Sequence, residues 1–421
     1  MFYYEKLFGM SKAQKRVCLF LILTVGFIDY MGIGLVYPLF SSLIFDKDLS
    51  ILPETASSGM RGFYLGLLLS LMPITQFFSA PIFGSLSDRK GRRGVLAVSL
   101  TIGIFGYLAS VIGIHVKSLT ILIFSRVLIG ASAGSAAVVQ AALADISSSK
   151  EKAKNFGLYN MALGAGFTLG PFLGGKLSDP NFLGIGSLVL PFWFSFVAIL
   201  VNIIFVIAYF KETHGAEERA QIRFSEGLKN LQKALHMQGI RTLLLCAFLF
   251  SFGWSFFFEF APVFLIGQYD FHPPDIGNFY AYSGALYALS CGVLIRPIVN
   301  KFSPQAVFFW SLILAGAYVL LFLFIENSTI LWFYVPFLLF LVALVYPTVT
   351  AMISNWAGKK MQGETLGVLQ SVQSVAFALS PLFSGTLIGN YLFMPVVIGG
   401  ASMLMAGVVF GIFLISVYLY K

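Results

Sequence analysis

Charged residues are scarce in this sequence. Asp, Glu, Lys and Arg make up 11% of the 421 residues, whereas hydrophobic residues make up 58%. The mean hydropathy is correspondingly high, at +0.87. A soluble protein carries about 25% charged residues. The composition therefore excludes an ordinary soluble globular protein and indicates a polytopic membrane protein.

Cysteine and histidine are also rare. The three cysteines lie in or beside apolar runs without paired spacing, and the four histidines are far apart. We therefore expect no disulfide framework, no metal site and no bound cofactor. The sequence also lacks a nucleotide-binding loop and a nucleophile–base arrangement, so we expect no catalytic residues and no enzyme activity. An extramembrane domain large enough for a receptor is missing as well.

The net charge of +9 follows a pattern along the chain. Lysine and arginine cluster before the first apolar run and after the even-numbered runs, where the chain is predicted to face the cytoplasm. This charge indicates orientation rather than nucleic-acid binding. We therefore expect a multi-pass protein of the cell inner (cytoplasmic) membrane with both termini cytoplasmic. The first apolar run is predicted to be a retained membrane helix rather than a signal peptide.

Twelve apolar runs reach the roughly 20 residues that a membrane helix needs. The predicted spans cover residues 16–45, 62–87, 93–114, 118–145, 153–177, 185–210, 241–269, 275–300, 304–326, 329–356, 362–389 and 391–419. The fold class is therefore all-α, with an N-terminal six-helix bundle (1–210), a cytoplasmic linker (211–240) and a C-terminal six-helix bundle (241–421). In the linker, Phe224, Leu228, Leu231 and Leu235 recur at helical spacing, which predicts an amphipathic helix on the inner leaflet. Faint repetition between the halves favours two related bundles with a site between them.

A dense polar island separates spans two and three. It reads Gly84-Ser85-Leu86-Ser87-Asp88-Arg89-Lys90-Gly91-Arg92-Arg93 and is predicted to be a short cytoplasmic loop. Gly84 is expected to let another helix approach closely. Asp88 is expected to pair with Arg92 or Arg93, or to lie at the positive end of a neighbouring helix. Together with Arg89, these residues form a predicted conformational latch; the alternative is an ordinary basic inside loop.

Two charged residues lie deep in predicted spans. Asp29 is about 18 Å into span one, near the middle of a hydrocarbon core of about 30 Å. Low-polarity surroundings penalise a charged carboxylate, which is typical of a group that binds and releases protons. Arg126 in span four is predicted at a similar depth, where it pairs with Asp29 directly or through water. The alternatives are a structural hydrogen bond for Asp29 and a static ion pair for Arg126.

A third acid, Glu259, lies in span seven near the outer surface. It is predicted to bind a cationic substrate or a second proton, or else to be a glutamate at headgroup level. Other polar side chains inside spans are predicted to line a substrate cavity: Tyr37, Gln140, Asn160, Tyr282, Gln370 and Gln373. Span five carries Gly166, Gly170, Pro171 and Gly174, which predict a bend and close helix packing.

Several of these motifs together resemble the major facilitator superfamily. The island G-x-L-S-D-R-x-G-R-R is similar to the superfamily's loop between helices two and three. Asp29 to Pro38 resembles the first-helix motif of the twelve-helix drug/proton antiporters, and above all of tetracycline efflux pumps. Arg126-x-x-x-Gly130-x-x-x-Gly134 is similar to their fourth-helix motif, and Gly166 to Gly175 to their fifth-helix motif.

The resemblance implies a proton-coupled secondary active transporter. Such a protein exports amphipathic small molecules or drugs by alternating access, with Asp29 and Arg126 in proton coupling. Its expected partners are a small-molecule substrate, protons and the lipid bilayer, without nucleic acid, and the chain is expected to act as a monomer. The alternative on the same fold is a proton-coupled or facilitated importer of a nutrient, amino acid or siderophore.

Overall fold

The computed structural model describes residues 10–46, 49–147, 152–182, 187–213, 229, 232, 236, 240–388 and 392–419. Throughout these residues the regular structure is helical, without a strand. A helix pairs its backbone N–H and C=O groups within one segment, which is what a lipid environment demands. The all-α fold class is therefore confirmed.

The helices of the first half follow the predicted spans closely. They are α1 (Lys12–Phe45), α2 (Ser58–Lys90), α3 (Arg92–His115), α4 (Leu119–Ala133), α5 (Ala136–Ile146), α6 (Lys152–Ser178) and α7 (Leu190–Tyr209). The predicted span four is interrupted, because a turn at residues 134–135 separates α4 from α5.

Seven further α-helices lie in the described residues of the second half. They are α8 (Arg241–Phe258), α9 (Ala261–Tyr269), α10 (Pro273–Leu289), α11 (Arg296–Lys301), α12 (Pro304–Leu321), α13 (Ser328–Ile388) and α14 (Met394–Leu419). A π-helical turn, Ser290–Leu294, joins α10 to α11. Helix α13 continues through residues 357–361, where the sequence predicts a loop between spans ten and eleven.

Nine helical segments in the described part of the chain are long and apolar enough to cross a membrane. They coincide with nine of the twelve predicted spans. The other three predicted spans are also helical, in α6, in α10–α11 and in the second part of α13, so the structure is consistent with twelve. The linker residues Phe224, Leu228, Leu231 and Leu235 lie outside the described residues, and the amphipathic helix there stays a prediction.

Contacts divide the chain into two compact units that combine distant segments. The first comprises Met1–Leu39, Leu71–Glu226 and Pro273–Ala281, and the second comprises Phe40–Ser70, Gly227–His272 and Tyr282–Lys421. Asp29, Arg126 and the polar island belong to the first unit. Glu259 belongs to the second.

The connection between α2 and α3 is much shorter than the loop that the polar island predicts. Helix α2 continues to Lys90 and α3 begins at Arg92, so Gly91 alone forms the connection. Its φ of 92° is a left-handed conformation that glycine adopts without steric cost. This single residue brings the basic end of α2 next to the first turn of α3.

Within the second unit, α2 and α13 touch through their backbones at Gly66 and Gly385. A Cβ at Gly66 would lie 2.2 Å from the carbonyl oxygen of Pro381. We expect Gly66→Ala to push the two helices apart and to cost about 1–3 kcal/mol. The thermal midpoint of the purified protein is then expected to fall by about 2 °C or more. Gly164→Ala is the control, because a Cβ there meets nothing within 4 Å; equal midpoints for the two variants would contradict the prediction.

Candidate functional site

The turn of α1 that carries Asp29 is in backbone contact with α6. A Cβ at Gly166 would lie 2.3 Å from the carbonyl oxygen of Phe27, and a Cβ at Gly170 would lie 2.3 Å from that of Met31. These two carbonyls flank Asp29 along α1. The predicted fifth-helix glycines therefore pack directly against the turn that bears Asp29, which is partly buried, and any side chain at either glycine position would displace that turn.

The remaining members of the fifth-helix motif lie in the same helix interface. Pro171 is buried inside α6, and its Cδ occupies the space that a Cβ at Gly34 would need, 2.7 Å away. Gly174 is buried one turn after Gly170. Proline in a helix interior removes a backbone donor and favours a bend. The motif therefore determines both the shape of α6 and its distance from α1.

Two tyrosines that the sequence analysis missed lie beside Asp29. Tyr107 in α3 is 5% exposed, and its hydroxyl lies only 1.9 Å from where a Cβ at Gly32 would be. Gly32 is one helical turn after Asp29, and Tyr107 interacts electrostatically with both Asp29 and Arg126. Tyr159 of α6 packs against Gly26 of α1 and interacts electrostatically with Asp29.

Arg126 is buried in α4, at 3% exposure. Its Nη2 donates to Sδ of Met72 at 3.2 Å. Gly130, one turn further, brings α4 against α2, because a Cβ there would lie 2.5 Å from the carbonyl oxygen of Met72. Among the described residues no ion pair joins Arg126 to Asp29 directly. The structure places Tyr107 near both, and a link between Asp29 and Arg126 through water stays a prediction.

The predicted pair of Asp88 and Arg92 is formed. Arg92 Nη1 lies 2.5 Å from Asp88 Oδ1 and donates to Ser87 Oγ at 2.6 Å. Its Nε also lies 3.0 Å from Oδ2 of Asp145, at the end of α5. Arg92 is only 4% exposed. A single guanidinium, a planar fork of five N–H donors, therefore joins the adjacent ends of α2, α3 and α5.

A further acid extends this cluster from the end of α7. The Glu212 carboxylate accepts from the backbone N–H of Arg92 at 2.7 Å and from that of Arg93 at 3.1 Å. A carboxylate here satisfies unpaired donors of the first turn of α3 and complements the helix dipole. Sequence analysis missed both Asp145 and Glu212. The available signal was that both are acids at span ends on the otherwise basic side.

Gly84 and Arg89 are placed differently from Arg92. A Cβ at Gly84 would lie 3.7 Å from Cβ of Ala137, which is an ordinary contact. The close helix approach expected at Gly84 is therefore not seen in this conformation, which leaves room for a methyl group. Arg89 is exposed at the end of α2.

In the second unit, Glu259 is buried at the end of α8, with 8% exposure. Its Oε1 accepts a hydrogen bond from Ser255 Oγ at 2.8 Å, and the neighbouring Trp254 stacks on Phe258 with ring centroids 4.7 Å apart. Helix α8 ends here and α9 begins at Ala261. Glu259 is therefore enclosed by protein rather than exposed at its surface, and both roles predicted for it stay predictions.

The other predicted cavity residues fall into two groups. Gln140 is partly buried and Asn160 is exposed in the first unit, where Tyr37 lies in α1 with its side chain outside the described part. In the second unit Gln370 is exposed and Gln373 is partly buried. Tyr282 donates to the carbonyl oxygen of Trp332 at 3.0 Å, so its hydroxyl has a structural partner.

Comparison with known proteins identifies similar proteins over most of the chain. The family model described as Major Facilitator Superfamily matches residues 22–346. Quinolone resistance protein NorA of Staphylococcus aureus is 26% identical over 88% of this chain and 89% of its own length. Tetracycline resistance protein, class C, of Escherichia coli is 29% identical over 86% of this chain and 88% of its own. Among solved structures, a D-xylose-proton symporter has a TM-score of 0.73 at 14% identity, with 93% and 97% of the two chains covered.

Proposed function

We propose that this chain, which belongs to the Major Facilitator Superfamily, exports amphipathic small molecules or drugs across the inner membrane in exchange for protons. The proposal rests on the residues that surround Asp29. A partly buried acid lies on a turn of α1 that the fifth-helix glycines contact directly, with Tyr107 near both Asp29 and Arg126. Two relatives support export, because they are named for resistance to quinolones and to tetracycline, and export of a drug is one way to produce resistance to it.

Asp29 is the proposed coupling group. A charged carboxylate in the membrane interior is costly, so its protonation and deprotonation change the relative free energies of the transporter's conformations. A proton binds from the outside and is released to the cytoplasm, and its passage accompanies the return of the empty carrier. The substrate is carried in the opposite direction. Arg126 and Tyr107 position and polarise Asp29. The cluster around Arg92 holds the cytoplasmic ends of α2, α3 and α5 in one conformation and releases them in another.

Glu259 is the proposed contact for a cationic group of the substrate. It is buried, its described partner is the Ser255 hydroxyl, and aromatic residues, Phe258 and Phe260, flank it in the chain. An aromatic face attracts a cation when both are desolvated. We further propose the six-plus-six division at residues 211–240 and the cytoplasmic location of both termini. Import on the same fold is the alternative, since the xylose symporter shares this architecture.

The direction of coupling is tested in everted membrane vesicles whose interior has been acidified. Addition of a quinolone, a tetracycline or a lipophilic cation is expected to release protons from the lumen, seen as dequenching of an acridine dye. Vesicles without the protein are the control. Absence of proton release across the panel, together with proton-driven nutrient accumulation in right-side-out vesicles, would replace export by import.

A further inference from the structure

A cavity of about 630 Å³ opens where the start of α1 meets the end of α7 and the first turn of α3. The side chains that define its character are Gln14, Val17, Arg93, Tyr209, Lys211 and Glu212. All belong to the first compact unit. Its volume lies within the range of small-molecule sites in proteins, about 300–1,000 Å³. The cavity lies away from Asp29, so the transport function assigned above does not use it.

The cavity is electropositive. Arg93 and Lys211 are both exposed at its rim, and Arg93 uses one of its five donors on the carbonyl oxygen of Ile207. The acid of the lining, Glu212, already accepts from two backbone N–H groups of α3. Its carboxylate is therefore held by donors within the protein, and the two side-chain cations of the lining outnumber it.

One wall of the cavity continues into an apolar surface. Val17 is 41% exposed and Phe20, on the next turn of α1, is 61% exposed, while Tyr209 at the end of α7 is 62% exposed. Exposed apolar side chains that form a patch on a membrane helix are suited to contact acyl chains. A tyrosine with an apolar ring and a polar tip is typical of the level of the lipid headgroups. The cations of the cavity match the phosphate of a phospholipid, and the apolar surface beside them matches its acyl chains.

The backbone at the rim is fixed in place. Cys18 Sγ lies 3.8 Å from the carbonyl oxygen of Lys211, and the next residue, Glu212, is anchored to the first turn of α3. Lys211 therefore projects from a held backbone rather than from a free loop. The loss of side-chain freedom on binding is then confined to the lysine side chain itself, which favours a specific site over a diffuse electrostatic surface.

We propose that this cavity binds the headgroup of an anionic phospholipid of the cytoplasmic leaflet. The phosphate lies between Arg93 and Lys211, and the acyl chains follow the apolar surface of α1 and α7. Negative lipids of this leaflet attract basic groups at the membrane surface. A bound lipid links the ends of α1, α3 and α7 at the place where Glu212 also joins them.

The test uses the full-length protein, delipidated in detergent and titrated with phosphatidylglycerol or phosphatidylcholine under native mass spectrometry. Wild type is expected to retain phosphatidylglycerol in preference to phosphatidylcholine. Lys211→Gln is expected to weaken phosphatidylglycerol binding about fivefold, and Arg93→Gln with Lys211→Gln about 25-fold. Lys211→Arg keeps the charge and is expected to restore binding. Lys301→Gln is the matched control, because Lys301 is an exposed cation outside the cavity.

Equal retention of the two lipids, or equal weakening by Lys301→Gln and Lys211→Gln, would overturn the proposal. Competition by millimolar inorganic phosphate with the same potency as the lipid would also overturn it, since the site would then bind a soluble anion. The outcome is independent of substrate export. The lipid preference is measured without transport, and loss of drug-driven proton release in Asp29 variants leaves it unchanged.

Discussion

Replacement of Asp29 by Asn is expected to abolish substrate-driven proton release, to the level of vesicles without the protein. Asparagine keeps the size of the side chain and, like the protonated acid, carries both a donor and an acceptor, but it cannot take up and release a proton. Since α6 contacts the backbone on both sides of this residue, the variant is expected to keep its packing and its thermal midpoint. Substrate exchange without a proton gradient is expected to persist, because it needs no net proton transfer.

The measurement compares dye dequenching with substrate counterflow in proteoliposomes of the same preparation. Glu259→Gln is the matched control, because it neutralises a second acid within a predicted span, one that is buried, without a change of shape. It is expected to keep proton release with neutral substrates and to lose about tenfold or more in affinity for cationic ones, the value of a desolvated charged hydrogen bond. Wild-type proton release by Asp29→Asn would show that the coupling group lies elsewhere.

Replacement of Arg92 by Gln is expected to damage both folding stability and transport. The substitution leaves Asp88 and Asp145 near each other without the cation that now lies within 3.0 Å of both. Breaking a buried ion pair costs about 3–5 kcal/mol. Because the two carboxylates are partly exposed, we expect about 2–3 kcal/mol. Transport is expected to fall at least tenfold, because the ends of α2, α3 and α5 lose their common partner.

Arg89→Gln is the control for this prediction. Arg89 carries the same charge, belongs to the same polar island and is exposed at the end of α2. Its removal is expected to shift the thermal midpoint by less than about 1 °C, because an isolated surface charge contributes little to stability. If thermal unfolding and transport respond equally to the two substitutions, net charge rather than the cluster around Arg92 determines the effect.

The sequence predicted the features of this protein that depend on short stretches. Helical spans follow from runs of apolar residues, and the pair of Asp88 and Arg92 is four residues apart on the chain. Asp29 was identified because a carboxylate stands out in an apolar run. The same local reasoning predicts that the whole polar island is a loop, and this is wrong. Helix α2 continues through the island to Lys90, and Gly91 alone makes the turn.

The residues that contact Asp29 and Arg92 could not be predicted from the sequence, for a physical reason. Tyr107 is 78 positions after Asp29, and Glu212 is 120 positions after Arg92. Which faces of two helices meet depends on their rotation and axial shift, and neither leaves a pattern in a single sequence. Gly84 shows the converse. The residue type predicts close packing, yet the neighbouring helix lies at ordinary distance in this conformation.

The contact between α1 and α6 has a consequence for how this protein can change over generations. At Gly166 and Gly170 the opposing surface is a carbonyl oxygen, and every amino acid carries that same oxygen. A methyl group gained at either glycine therefore has no compensating exchange on α1 that restores the fit. Substitutions that adapt the protein to new compounds are therefore expected outside this α1–α6 contact, at positions where one side chain faces another.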